Sequence, residues 1–185
     1  LYTGISQREL LSQCPPVIEI NRMSRTVIAR DWLSQHVTID GSDFTLTNPS
    51  LGALENAALA YALLRGQFPE IPLNTIQSAF AAVKTPGRFE VISNQPRIIL
   101  SGDHNPHGID SLFQTLDSLP STRLHTLCAF SLDKPYGEMF AKLKNRSKTI
   151  TLTTVPKNQT NLPPDYLALA PVMIDSLEAF TSVKK

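Results

Sequence analysis

The side chains most able to grip an anion cluster in one stretch, Thr85 to Leu116, which reads TPGRFEVISNQPRIILSGDHNPHGIDSLFQTL. Arg88 follows a Pro86-Gly87 turn, and its planar, permanently charged guanidinium suits pairs of phosphate oxygens. A plainer reading pairs Arg88 with Glu90 across one residue of a strand edge. Further on, the apolar strand Arg97–Leu100 ends in the polar turn Ser101-Gly102-Asp103-His104-Asn105-Pro106. An amphipathic helix follows, with Ile109, Leu112, Phe113 and Leu116 on one face. Strand, turn and helix in this order form the basic unit of a parallel α/β sheet, whose ligands sit at the carboxyl ends of the strands. The first N–H groups of such a helix lack partners and carry partial positive charge, so phosphate or carboxylate is favoured there. His104 and Asn105 stand where they could touch that ligand. The alternative is that Asp103 or Asn105 caps the helix and His104 is a surface turn residue.

The wording of the stretch is specific. PGRFE followed by GDHNPHG resembles the signature of folylpolyglutamate synthase/dihydrofolate synthase, a branch of the Mur ligase superfamily, in which PGR-x-E precedes Asp-Gly-Ala-His-Asn-Pro. Asn56-Ala57-Ala58-Leu59-Ala60 is similar to the family's Asn-Ala-x-x-Ala helix, and Leu132-Asp133-Lys134 to its Asp-Lys turn. The resemblance covers the chain from about Thr47 onward. It implies an ATP-dependent ligase of folate biosynthesis. Such an enzyme joins the carboxylate of a folate or dihydropteroate to L-glutamate through an acyl phosphate, with Mg2+. It further implies that Asn56 holds adenine, Arg88 the phosphates, Ser101 another nucleotide contact, and His104 the glutamate side of the site. An amide suits a purine edge because it offers donor and acceptor together. Ser101 departs from the pattern, standing where the family has Asp, and Asp103 replaces its Ala. Either Asp103 compensates or ATP binding is weaker here. Whether the activity is dihydrofolate synthase or polyglutamylation stays open.

No Gly-x-x-x-x-Gly-Lys-Ser/Thr occurs among the eight glycines, so the P-loop that cradles triphosphates is missing from this sequence. Family members carry it in a large N-terminal ATPase domain. The expectation is therefore a C-terminal part of such an enzyme, inactive alone, monomeric when intact, with metal ligands and most pterin contacts elsewhere. Two other readings compete: a non-catalytic nucleotide- or partner-binding module, favoured by Ser101 and the absent P-loop, and a ligase of peptidoglycan precursors.

Composition narrows the field. With 42% hydrophobic residues and 17 Lys plus Arg against 16 Asp plus Glu, the chain can bury a core and makes no electrostatic case for nucleic acid or an anionic membrane. No apolar run reaches a membrane span and no signal pattern opens the chain, which fits a cytoplasmic protein. Cys14 and Cys128 lie far apart in dissimilar contexts, against a disulfide framework or zinc site; Cys128 reads as a buried strand residue.

The elements that carry these residues follow from periodicity. Residues 1–84 are, as the resemblance implies, the tail of the family's ATPase domain. It has short strands at Val17–Ile20, Arg25–Ala29, His36–Ile39 and Phe44–Thr47, and a hairpin at Asp40-Gly41 lengthened by Ser42-Asp43. A capping box at Ser6–Glu9 is stopped by Pro15-Pro16. Helices are expected over Leu54–Leu64, and over Thr75–Val83 capped by Asn74. Residues 85–185 are, as the resemblance implies, a Mur-ligase-type C-terminal α/β domain: a mostly parallel sheet with helices on both faces, with strands expected near 88–92, 97–100, 123–131 and 149–153, and a helix over Tyr136–Asn145. A loop over 155–164, a short helix over 165–170 and a capped helix from Asp175 complete it, with the family's last strand absent. Trp32 reads as a packing residue, and His36 and His125 as structural.

Overall fold

In a computed structural model, residues 2–3, 18–19, 23–120, 123–153 and 173–174 are described. The readings at Ser6–Glu9, Cys14, 155–164, 165–170 and the helix from Asp175 lie outside them. The chain is a mixed α/β protein whose contacts divide into two compact units, Leu1–Gly102 and Asp103–Lys185.

In the first unit β1 (Tyr2–Thr3) pairs parallel with β2 (Ile18–Glu19). The strands β3 (Arg25–Arg30), β4 (Gln35–Ile39) and β5 (Ser42–Leu46) form an antiparallel sheet in that order. Alternation sends Val37, Ile39, Phe44 and Leu46 inward, against Leu54, Ala58 and Tyr61 of α1 (Leu51–Gln67) and Ile76 of α2 (Leu73–Ala82). The Phe44 and Tyr61 rings meet edge to face, 5.0 Å between centroids. The β4–β5 turn is shorter than expected. Asp40 and Gly41 both take positive φ, 48° and 76°, so two residues close the hairpin, and Ser42 and Asp43 join β5 instead of lengthening the loop. Helix α1 starts earlier than expected because the Ser50 side chain accepts the Ala53 N–H. Helix α2 also starts early: Pro72 occupies the cap position without a side-chain bond, and Asn74, the expected cap, lies inside the first turn.

The hairpin β6 (Glu90–Asn94) and β7 (Arg97–Leu100) corrects the expectation for residues 88–100. These strands are antiparallel partners of each other, in a sheet of their own. Only Gln95 and the cis-linked Pro96 join them, whereas parallel neighbours need a crossover of roughly a dozen residues. The first strand begins at Glu90, not Arg88, because Phe89 has φ 48°, outside the β region. The apolar strand Arg97–Leu100 is half-covered, with Arg97 and Leu100 exposed.

The second unit holds the parallel sheet. Its strands β8 (His125–Cys128), β9 (Thr149–Thr153) and β10 (Met173–Ile174) lie in the order β10-β9-β8, all parallel. Helices α3 (Pro106–Asp117) and α4 (Tyr136–Arg146) supply Ile109, Phe113, Leu116, Met139, Phe140 and Leu143 to the buried side. The expected strand over 123–131 shrinks to four residues, since Cys128 already faces Leu152, one residue before its partner strand ends. Across the two helices Lys142 bonds Asp110 at 2.8 Å, and Arg146 pairs with Asp117 while lying over the Phe113 ring. No helix among the described residues is long and apolar enough to cross a membrane.

Candidate functional site

Arg88 leaves a tight turn. Its N–H bonds the Thr85 carbonyl at 3.1 Å; Pro86 leads the turn and Gly87 follows at φ 70°, the pattern of a type II turn. Glu90 does not pair with the Arg88 guanidinium. Its carboxylate accepts the Gly87 N–H at 2.7 Å and so closes the turn from the other side. Phe89 is buried, only 5% exposed, in the left-handed region, and the residue before it remains exposed. An ordered hydrocarbon anchor beside an exposed guanidinium presents the charge to solvent at a fixed point.

The strand end meets this turn. The Gly102 N–H donates to the Gly87 carbonyl at 2.7 Å, and Arg88 Nη1 donates to the Gly102 carbonyl at 3.3 Å. A Cβ at 102 would stand 3.2 Å from the Gly87 oxygen, so glycine permits the approach. Arg88 and the exposed Ser101, thirteen residues apart in sequence, are thereby brought to one edge of the first unit. Asn56 is exposed on α1 of the same unit, and its side-chain amide takes no partner among the described residues.

His104 belongs to the second unit and is exposed, directly ahead of α3. Asn105 is the cap: its backbone is extended and its Oδ1 accepts the Gly108 N–H at 2.7 Å. Pro106 follows at the start of the helix, where its missing N–H costs nothing. Asp103 folds over the same turn. A Cβ at Gly108 would stand 2.8 Å from its Oδ1, so Gly108 makes room for that carboxylate.

The remaining candidates are structural. His36 Nδ1 bonds Thr45 Oγ1 at 3.0 Å and His125 Nδ1 bonds Thr149 Oγ1 at 2.7 Å, each across neighbouring strands. Cys128 is a poor nucleophile, since burial pushes its thiol up to about 12. Trp32 packs under the Arg97 guanidinium, 4.1 Å from the ring centroid. An open groove of about 570 Å³, lined in part by His36, Phe44, Thr45 and Gln77, contains none of Asn56, Arg88, Ser101 and His104. Among the described residues no group of three His, Cys, Asp or Glu side chains could hold a metal ion.

Three residues that hold the turn and its support were not legible as important. Asn48 reads locally as part of an Asn-Pro-Ser turn, yet its side chain donates to the Arg88 carbonyl at 2.6 Å and to Thr85 Oγ1 at 3.0 Å. Thr47 Oγ1 also bonds the Val83 carbonyl nearby. Gln35 is fully buried and donates to the Asn48 and Ser50 carbonyls at 2.9 and 2.8 Å, while accepting from Arg30 at 2.9 Å. The available signal was its phase, an amide at an inward position of an alternating strand.

Known proteins bear on these residues. The family described as Mur ligase, glutamate ligase domain, matches residues 87–184. A probable bifunctional folylpolyglutamate synthase/dihydropteroate synthase of Haloferax volcanii is 32% identical over 117 residues, 62% of this chain and 14% of its own length. Folylpolyglutamate synthase of Lacticaseibacillus casei is 31% identical over 131 residues, 67% of this chain and 30% of its own. The chain thus spans less than a third of the length of these relatives. The crystal structure of folylpolyglutamate synthase from Thermotoga maritima superposes with a TM-score of 0.77 at 24% identity, covering 98% of this chain and 48% of that one, a likeness of fold. With more than half of its residues matched by the family, and with PGRFE and HNPHG inside the match, the chain belongs to the Mur ligase family, carrying its glutamate ligase domain.

Proposed function

We propose that the chain supplies the glutamate-side domain and part of the ATP site of a ligase that adds L-glutamate to a folate or dihydropteroate carboxylate. The observation that carries this reading is Arg88: an exposed guanidinium on a turn closed by Thr85, Glu90 and Gly102, within the PGRFE segment. In this reading its fork binds phosphate oxygens of ATP, where charge develops as the γ-phosphoryl group moves to the substrate carboxylate. Asn56 offers its unpartnered amide to the adenine edge. Ser101 contributes a neutral hydrogen bond in place of a charge. His104, at the start of α3, acts on the glutamate side. The glutamate nitrogen then displaces phosphate from the acyl phosphate. Mg2+ would neutralise phosphate charge; among the described residues no group of three His, Cys, Asp or Glu side chains could hold it.

Titrating ATP into the 185-residue chain tests the reading. Arg88→Ala should weaken binding by roughly tenfold or more, the scale of a lost charge-assisted hydrogen bond, while His36→Ala and His125→Ala leave it unchanged. Ser101→Asp should tighten it. Equal affinity for the wild type and Arg88→Ala would sink the phosphate role. Ser101 also favours a second reading, a module that binds nucleotide without ligating anything; it predicts the same titration but no glutamyl transfer in any context.

A further inference from the structure

The Arg88 turn has a support that the phosphate-binding reading does not require. Asn48 lies forty residues upstream, yet its Nδ2 donates both to the Arg88 carbonyl at 2.6 Å and to Thr85 Oγ1 at 3.0 Å, so it grips the two ends of the Thr85–Arg88 turn. Its Oδ1 is occupied too, accepting the Ser50 N–H at 2.9 Å, which orients the amide and directs its nitrogen toward the turn. The backbone of Asn48 is held from behind: Gln35, fully buried, donates to the Asn48 carbonyl at 2.9 Å and the Ser50 carbonyl at 2.8 Å. Gln35 in turn accepts from Arg30 at 2.9 Å. A buried amide with its groups bonded in this way has no freedom to swing. All these residues lie in the first unit.

We propose that Asn48 is the positioning residue of the Arg88 turn, transmitting the fixed geometry of Gln35 and the α1 cap to the backbone from which the guanidinium projects. The physical case is one of direction. Arg88 is exposed, and its one side-chain hydrogen bond among the described residues is a long one, 3.3 Å to the Gly102 carbonyl, so its aim depends on its own backbone. That backbone follows a glycine at φ 70° and precedes a phenylalanine at φ 48°, both in the left-handed region. Such a conformation persists where surrounding contacts over-determine it. Asn48, together with the Glu90 carboxylate on Gly87, provides those contacts. The consequence for ligand binding rests on the phosphate role of Arg88 proposed above; the restraint on the turn does not.

Asn48→Asp in the 185-residue chain keeps an acceptor for Ser50 but replaces the donor with a charged carboxylate facing the Arg88 carbonyl, so its effect counts only where the uncharged Asn48→Ala agrees. Asn48→Ala is the second variant. Amide exchange at Arg88 and Gly102, whose N–H groups bond within the turn, should accelerate by roughly tenfold in either variant, as expected when a hydrogen-bonded anchor is removed. Exchange in β4 should stay at its wild-type rate. ATP affinity should fall in the same direction as in Arg88→Ala. The proposal is overturned if Arg88 and Gly102 exchange at the wild-type rate, or if exchange rises evenly across the first unit, which would make Asn48 a general stability residue. It is also overturned if the turn loosens while ATP affinity stays at the wild-type value in variants of a chain that Arg88→Ala weakens. If the wild-type chain shows no affinity for ATP, the functional reading fails, and the exchange result alone decides the role of Asn48.

Discussion

Arg30 donates to the fully buried Gln35 at 2.9 Å, and Gln35 holds the backbone of Asn48. Burial alone pulls the Arg30 guanidinium's pKa down from its ordinary value, yet an arginine remains charged at neutral pH, and Gln35 Oε1 is one of its partners. Gln35→Leu is close in size but removes three hydrogen bonds at once, leaving the Asn48 and Ser50 carbonyls without that donor. It should cost about 2–4 kcal/mol of unfolding free energy by denaturant titration, the range for stranding buried polar groups. A loss under about 1 kcal/mol would mean that water replaces the amide. Of the residues singled out from the sequence, the turn position of Arg88 and the cap at Asn105 were legible because they are local: one follows Pro-Gly, the other precedes proline at a helix start. Asn48 was not, since its partners at Thr85 and Arg88 exist only once the chain has folded back.

At the scale of elements, two short signals fix backbone geometry and make predictions of known size. Asn105→Ala removes the α3 cap and should destabilise the second unit by about 1 kcal/mol. Gly41→Ala forces a side chain into φ 76° with open space around it, so the cost should be conformational alone, again about 1 kcal/mol in the first unit. Thermal or denaturant unfolding of each variant checks both values; wild-type stability in either would show that the turn relaxes. The helices α2, α3 and α4 and the strand β4 were readable from their apolar spacing, α1 from its apolar density and β9 from its β-branched residues. Pairing partners were less so. A run such as Arg97–Leu100 reads alike in a parallel sheet and in a hairpin; what decides is the two-residue link at Gln95–Pro96, a constraint of length and not of hydrophobicity.

For the molecule as a whole, the sequence divides by resemblance at Thr85, whereas its contacts group residues 85–102 with the first unit. The family match begins between these, at residue 87. The Arg88 turn and its hairpin therefore carry the motif of one domain on the packing of another, which is why Asn48 and Gln35 bear on a residue of the matched segment. Phosphoryl transfer needs a phosphate cradle as well as an arginine, so the 185-residue chain alone should form no glutamyl bond from ATP, glutamate and a folate. The most direct measurement joins the whole 185-residue chain, so that Asn48 and Gln35 stay with the Arg88 turn, to the P-loop-carrying part of a folylpolyglutamate synthase, and follows labelled L-glutamate into folate. ATP-dependent incorporation is expected, reduced by roughly tenfold or more in Arg88→Ala. A folded chimera that splits ATP but forms no amide, or one in which Arg88→Ala transfers glutamate at the full rate, would contradict the account.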